Sequence, residues 1–515
     1  MAATAVRTAK PVRPFDPALP RHESVVHALI DAARRAPDRT AMICRDRSIT
    51  YDQYMRAAAG LARQLAPMGM AGSRGVIMMG NSIEHAVAMM GIMGARGQKS
   101  SINPYYTERE LVPLVKDADP AVIVCDQTTA EKAHAAAKAA GVQHVVVFDR
   151  IDTSSAQWPG PLPTGDDLAT LPYTGGTTGR SKGASTRHRA VTDGFFRVTL
   201  GMWPMGFDTN VYLNVAPMFH IWGFQMATWI PVYTRCPLVI VPQYKPDDVL
   251  EQLERHKVSV FLGGPAAIYN GLLGAERFAK TDLSALKLCF SGGSACAEEL
   301  LKRWKEATGC TLIEGYGMSE GAPISGNPIE GLQKLRSVGP AGPGTEIEIV
   351  DADTGTKHMP RGQPGEIRLR GPQFMDGYRN RPDDNAQAMR DGWLYTGDIG
   401  YLDEDDYLFI VDRKKELINV GGQKVYPREL DELLFSHPAV KEAATVGVPD
   451  QFLGEAVKAV VALKPGATLS ADELLAFCKA NVVKYKLPKH IEFVDALPKT
   501  GAGKIDKLKL RGLRE

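Results

Sequence analysis

The sequence predicts an α/β protein: a large N-terminal part of alternating strands and helices, a small β-rich section, and a smaller α+β unit at the C-terminal end. Three observations predict it. Short apolar runs alternate with helical stretches as far as Ser291, the pattern of α/β units with largely parallel sheets. From about Gly339 the texture changes to short β-type runs separated by Gly, Pro and Asp, as in a small barrel or antiparallel sheet. A charged segment, Asp412-Arg413-Lys414-Lys415-Glu416, then interrupts the chain before a fresh alternation begins.

Each element has its own signal. Residues 24–37 and 50–67 repeat apolar side chains every three to four positions, the period of a helix buried along one face. The runs 75–79, 121–125, 145–148, 211–215, 238–241, 258–262 and 286–291 are short, apolar and bounded by polar turns, which reads as buried strands. Residues 344–351, 365–369 and 407–411 are the β-rich section. After the charged segment come a helix at 427–436, strands at 440–448 and 456–463, a helix at 470–481 and a strand at 490–493. A domain boundary is expected at residue 412, giving units 1–411 and 412–515; the second has about a hundred residues, near the small end of independent domains.

At 515 residues the chain exceeds one ordinary core,. With 44% hydrophobic and 23% charged residues it has globular composition,. A net charge of +2 argues against nucleic acid as a partner,. The charge is uneven: Lys484–Arg514 holds nine Lys/Arg against three Asp/Glu, either an anion-binding face or a solvated tail. Seven cysteines without CxxC spacing point to reduced thiols in a cytoplasmic protein rather than to disulfides or zinc,. No apolar run reaches the ~18 residues of a membrane span, and the basic start of the chain lacks a signal-peptide core.

Residues 173–183, Tyr-Thr-Gly-Gly-Thr-Thr-Gly-Arg-Ser-Lys-Gly, narrow the chemistry most. Glycines 175, 176, 179 and 183 let backbone N–H groups approach an anion. Thr174, Thr177 and Thr178 add hydroxyl donors and Lys182 a mobile positive charge. This is a polyphosphate cradle by composition, although a flexible linker shares that composition. It is not a Walker A loop, because Lys182 follows Ser181 and precedes Gly183,.

Four further segments carry candidate chemistry. Gly315-Tyr316-Gly317-Met318-Ser319-Glu320 offers an open ring face for stacking, then a hydroxyl and a carboxylate suited to phosphate and Mg²⁺,. Ser291-Gly292-Gly293-Ser294 offers close backbone approach. Tyr395-Thr396-Gly397-Asp398 puts a carboxylate in an expected tight turn, where it can accept both hydroxyls of a ribose or simply form the turn; Arg413 is a possible partner. Thr500-Gly501-Ala502-Gly503-Lys504 sets a lysine on a glycine-rich loop, able to swing onto a reacting phosphate. Met218-Phe219-His220-Ile221-Trp222-Gly223 reads as an apolar wall with one polar ring, His220, which is either a catalytic base or a packed histidine.

Taken in their order, these segments resemble the adenylate-forming (AMP-binding) superfamily, over nearly the whole chain from Ala32-Ala33-Arg34-Arg35-Ala36-Pro37-Asp38 onward. Within it the chain is most similar to the acyl-CoA synthetase, fatty-acid–CoA ligase branch. That likeness rests on Ile102-Asn103-Pro104-Tyr105-Tyr106-Thr107, the double glycine at 175–176, Glu314-Gly315-Tyr316, Tyr485-Lys486-Leu487-Pro488 and Phe493-Val494-Asp495.

The resemblance implies a large N-terminal domain of two α/β subdomains and a β-rich subdomain, with a small mobile C-terminal domain. It implies attack of a carboxylate on Mg·ATP to give acyl-AMP and pyrophosphate, then capture of the acyl group by CoA. ATP, Mg²⁺, CoA and a small carboxylic acid are the implied partners, with no integral membrane segment; a homodimer stays open. Thr174–Lys182 would hold the β- and γ-phosphates, with Gly293, Ser294 and Gly315–Ser319 completing the nucleotide site. Tyr316 would stack on adenine, Glu320 bind the metal, and Asp398 with Arg413 hold the ribose. Lys504 would bridge carboxylate and α-phosphate. Lys415 would be the pivot of a domain rotation that brings Gly421-Gly422 to CoA. His220, Trp222, Gly223, Met226, Gly293 and Gly315 would shape the acyl pocket. A medium- or long-chain fatty acid is the expected substrate; an aromatic, alicyclic or short-chain acid is the alternative, ahead of a carrier-protein adenylation enzyme or a regulator that has lost catalysis.

Overall fold

The computed structural model describes residues 12–174, 181–293, 296–499 and 505–512. Among them the strands form four sheets. In an eight-stranded sheet the order is Gly321–Gly326, Leu312–Met318, Leu288–Ser291, Val260–Gly264, Tyr212–Asn214, Leu238–Ile240, Thr40–Cys44 and Arg47–Thr50. A seven-stranded sheet runs Gly377–Tyr378, Ala184–Arg187, Leu168–Thr170, Gln98–Ser101, Arg74–Met78, Val122–Cys125 and His144–Val147. The central pairings of both are parallel, as the apolar runs predicted. A third sheet is antiparallel and built on Glu346–Val350, Gly365–Arg370, Trp393–Leu402 and Leu408–Arg413. The fourth contains Ile418–Val420, Gln423–Val425, Gly454–Leu463, Val440–Asp450 and His490–Phe493.

The helices follow from local signals. Val25–Arg35 starts at Ser24, whose side chain accepts from the His27 N–H, and buries Val25, Val26, Leu29 and Ala32 along one face,. Tyr51–Leu65 starts with a reciprocal Thr50/Gln53 capping box,. Ile83–Gly94 is buried on nearly every side, because it lies in the largest apolar cluster, which draws residues from both large sheets.

One strand had no apolar signal. Gln98–Ser101 is wholly buried in the seven-stranded sheet although all four residues are polar, where parallel strands normally read Val, Ile and Leu. Its polarity is largely satisfied. Gln98 Nε2 donates to the Thr170 carbonyl at 2.8 Å, Ser100 Oγ donates to the Leu171 carbonyl at 2.8 Å, and Ser101 Oγ lies 3.0 Å from His85 Nε2. Lys99, 1% exposed, sets its amine 2.9 Å from the centre of the Phe224 ring.

Two of the candidate segments lie on strands. Leu312–Met318 absorbs the Gly-Tyr-Gly-Met segment, pairing first in parallel with Leu288–Ser291 and then antiparallel with Gly321–Gly326. Ser319-Glu320 are left as the link between the two antiparallel arms. The expected turn at Tyr395–Asp398 lies within Trp393–Leu402, with Gly397 at φ +69°; the pairing with Gly365–Arg370 shifts register here, so a bulge re-aims the strand without ending it. Leu408–Arg413 also crosses the boundary expected at 412, running two residues into the second unit. All seven cysteines are free thiols.

Candidate nucleotide and acyl site

The glycine- and threonine-rich loop is closed at its neck. Tyr173 and Gly183 form an isolated antiparallel bridge, and the Thr174 N–H donates to the Lys182 carbonyl at 2.9 Å. The Tyr173 hydroxyl anchors the entry by donating to Asp117 at 2.8 Å. Gly175, Gly176, Thr177, Thr178 and Gly179 lie outside the described residues, as do Ser294 and Lys504. The exit strand Ala184–Arg187 pairs with Gly377–Tyr378, matching Ala184 with Tyr378. That pairing delivers a residue the sequence did not single out. The Lys182 amine stands 5.0 Å from the centre of the Tyr378 ring and forms an ion pair with Asp384.

Tyr378 also reaches the second motif, since its hydroxyl donates to Glu320 Oε1. Glu320 is 8% exposed, and burial raises its carboxyl above the usual range against the opposing pull of the Tyr378 hydroxyl,. The Tyr378 phenol is pushed up as well, by burial and then by the adjacent carboxylate. Tyr378 therefore joins the loop's exit to the link at Ser319-Glu320, with its ring beside the Lys182 amine and its hydroxyl on Glu320. The signal for Tyr378 in the sequence was only a Gly-Tyr pair ahead of Pro382, too weak to separate from an ordinary turn.

A third group is joined across strands. Asp398 and Arg413 are direct partners in the antiparallel register, with Arg413 Nε 2.9 Å from Asp398 Oδ1. The Tyr316 hydroxyl donates to the other oxygen, Asp398 Oδ2. The expected stacking, ribose and anchor residues thus meet on one buried carboxylate. Next to them, burial pushes the Asp412 carboxyl up to about 6 even though the N–H groups of Arg413 and Arg428 donate to it.

The apolar segment follows Tyr212–Asn214 and leads into the π-helix Trp222–Trp229. His220 is exposed, and its Nδ1 accepts from the Trp222 N–H at 3.4 Å. The Trp222 indole N–H donates to the Leu262 carbonyl, and its ring covers Gly264 and Gly292: a Cβ at Gly292 would stand 2.4 Å from the six-membered ring. Gly293 has φ +80° and open space where a side chain would be. Gly223 and Gly315 are set by packing, since Cβ atoms there would fall 2.0 Å from the Pro217 carbonyl oxygen and 2.8 Å from Trp203. Met226 is buried in the main core.

Farther along, Lys415 lies in the short helix Lys414–Glu416 directly after Arg413. Gly421 and Gly422, at φ +58° and +85°, are the two-residue turn between Ile418–Val420 and Gln423–Val425. Positive φ at both positions is what a tight hairpin requires, so both glycines have a local structural reason.

Known proteins resemble this chain over nearly its full length. The AMP-binding enzyme family matches residues 29–379, and the AMP-binding enzyme C-terminal domain matches residues 429–504. A long-chain-fatty-acid–CoA ligase of Bacillus subtilis (strain 168) is 34% identical over 94% of this chain and 93% of its own length. A feruloyl-CoA synthase of an Amycolatopsis species is 32% identical, covering 93% and 96%. Among solved structures, ATP-bound MatB from Rhodopseudomonas palustris superposes with a TM-score of 0.87 at 30% identity, covering 95% of this chain and 98% of that one. The chain belongs to the AMP-binding, adenylate-forming enzyme family, on its acyl-CoA ligase branch.

Proposed function

We propose that the protein activates an apolar carboxylic acid with ATP and transfers the acyl group to CoA, with a medium- or long-chain fatty acid as the substrate. The observation that carries this reading is the meeting of Tyr316 and Arg413 on Asp398, beside the Lys182–Tyr378–Glu320 contacts. Asp398 and Arg413 bind the ribose, Tyr316 lies along the base, and Lys182 with Thr174 and the loop they close grips the terminal phosphates. Lys504 supplies positive charge where the carboxylate meets the α-phosphate. Two anions must approach there, so placed cations carry most of the acceleration.

Glu320 fits a magnesium ion. It is a buried carboxylate with a hydroxyl donor and no ion-pair partner among the described residues, and no cluster of three metal-ligating side chains stands among them. One carboxylate plus substrate phosphates is the usual way this ion is held. When bound, it neutralises phosphate charge. Lys415 is the pivot that lets the unit from 412 onward turn between the two half-reactions, with Gly421-Gly422 then facing CoA.

The substrate reading is supported by the apolar π-helix and by the relatives named for long-chain fatty acids. The Trp222 ring over Gly264 and Gly292 favours a second reading, a flat aromatic acid, and one relative is named for feruloyl-CoA. A panel from acetate through palmitate, with benzoate and ferulate, measuring AMP and thioester together, decides. Best turnover at eight or more carbons supports the fatty-acid reading; ferulate or benzoate as best substrate replaces it. AMP release without thioester for every acid refutes the ligase role.

A further inference from the structure

We propose that Asp384 is a resident counter-ion for Lys182 that competes with the polyphosphate for this lysine, lowering nucleotide affinity and speeding the departure of pyrophosphate. The proposal rests on the reading of Lys182 as a phosphate ligand.

Three features separate this pair from an incidental surface contact. Lys182 and Asp384 are 202 residues apart and both are largely shielded, their side chains 24% and 31% exposed. Asp384 is held in place by its surroundings. It lies in the short helix Pro382–Ala388, whose Asn385 clasps Tyr378 by accepting from its N–H at 2.6 Å and donating to its carbonyl at 2.8 Å. The Arg379 N–H donates to the Gly183 carbonyl at 2.9 Å, tying the same segment to the exit of the loop. The carboxylate therefore stands at a fixed place beside Lys182. Finally, the lysine also faces the ring of Tyr378, and Asp384 is its one anionic partner among the described residues.

The consequence follows from competition. A lysine already neutralised by a carboxylate gives a phosphate only the difference between the two pairings. ATP, with several other contacts, tolerates that loss. Pyrophosphate, once cut from the nucleotide, has fewer contacts, and its release is helped when Asp384 takes the lysine back. The carboxylate thus acts as a built-in competitor that keeps product from lingering.

The test uses the full chain and direct binding. Asp384→Asn, similar in size but uncharged, is titrated calorimetrically with magnesium pyrophosphate and with a non-hydrolysable ATP analogue, and pyrophosphate inhibition of turnover is measured alongside. Both ligands should bind roughly twofold to fivefold tighter, the fold-change of an ion pair at the upper end of the usual surface range, and pyrophosphate inhibition should deepen. Asp384→Glu should return both toward wild type, and in a Lys182→Met background Asp384→Asn should change nothing. Unchanged or weaker pyrophosphate binding in Asp384→Asn overturns the proposal, provided that Lys182→Met weakens both ligands. If Lys182→Met leaves both affinities intact, the phosphate role of Lys182 is what fails.

Discussion

Asp398 and Arg413 face one another across two antiparallel strands, Trp393–Leu402 and Leu408–Arg413, and close an ion pair of 2.9 Å. Because Asp398 is 3% exposed and its second oxygen accepts from Tyr316, the carboxylate is fixed before any ligand arrives. Preorganisation of this kind spares a ligand the cost of ordering the site. It also links the central part of the chain to the charged segment at 412–416, the proposed pivot.

Removing that charge should therefore be felt in nucleotide binding. Asp398→Asn keeps the shape but leaves Arg413 without its partner. ATP affinity should fall by roughly tenfold to a hundredfold, as expected for a lost hydrogen bond to a charged group. Calorimetric titration with ATP checks this; a change below twofold would remove Asp398 from the ribose site.

The two half-reactions should separate by mutation. Lys504→Ala should slow acyl-AMP formation by about 10²–10³, the usual loss of one placed transition-state donor, while sparing thioester formation from supplied acyl-AMP. Lys415→Pro should do the reverse, because fixing φ at the pivot hinders rotation. Single-turnover assays of each step read the outcome, and equal damage to both steps by either variant would count against its assigned role.

Trp222 should set which acids fit. Trp222→Ala opens the space over Gly264 and Gly292 and should favour bulkier acids over the best wild-type substrate. A shift of ~10–100-fold in relative kcat/KM is the scale of such pocket changes. Gly292→Ala should act oppositely by pressing on the indole. An acid profile unmoved by both variants would place the pocket elsewhere.

Lys99 should cost stability, and the cost should depend on pH. Burial holds its amine well below the ordinary lysine range, so between that lowered value and the ordinary one the unfolded chain binds a proton more readily than the folded protein does. Stability contributed at this site therefore falls as pH drops from about 10.4, the unperturbed lysine value. Lys99→Met, which keeps the apolar stem, should stabilise the protein, and by more at pH 7 than at pH 9. The difference should be up to about 1.4 kcal/mol per pH unit. Urea unfolding at the two pH values measures it; an equal gain at both would mean that the amine stays charged in the fold.

Much of the architecture, and the family, could be read from the residues alone. Apolar runs such as 121–125 and 258–262 fell on strands within a residue or two, because buried parallel strands must be apolar on both faces. The order of the motifs around Thr174, Tyr316, Asp398 and Lys504 carried the resemblance to adenylate-forming enzymes, which the residue types of each motif taken singly left open. Other features depend on which distant elements the fold brings together. Gln98–Ser101 is a buried strand that no hydrophobic pattern announces, since its polarity is answered by Thr170, Leu171 and His85, brought there by the fold. Tyr378 and Asp384 enter the site only because Gly377–Tyr378 pairs with Ala184–Arg187. Periodicity reports which way a side chain faces along its own element; it carries no information about which distant element folds over to meet it.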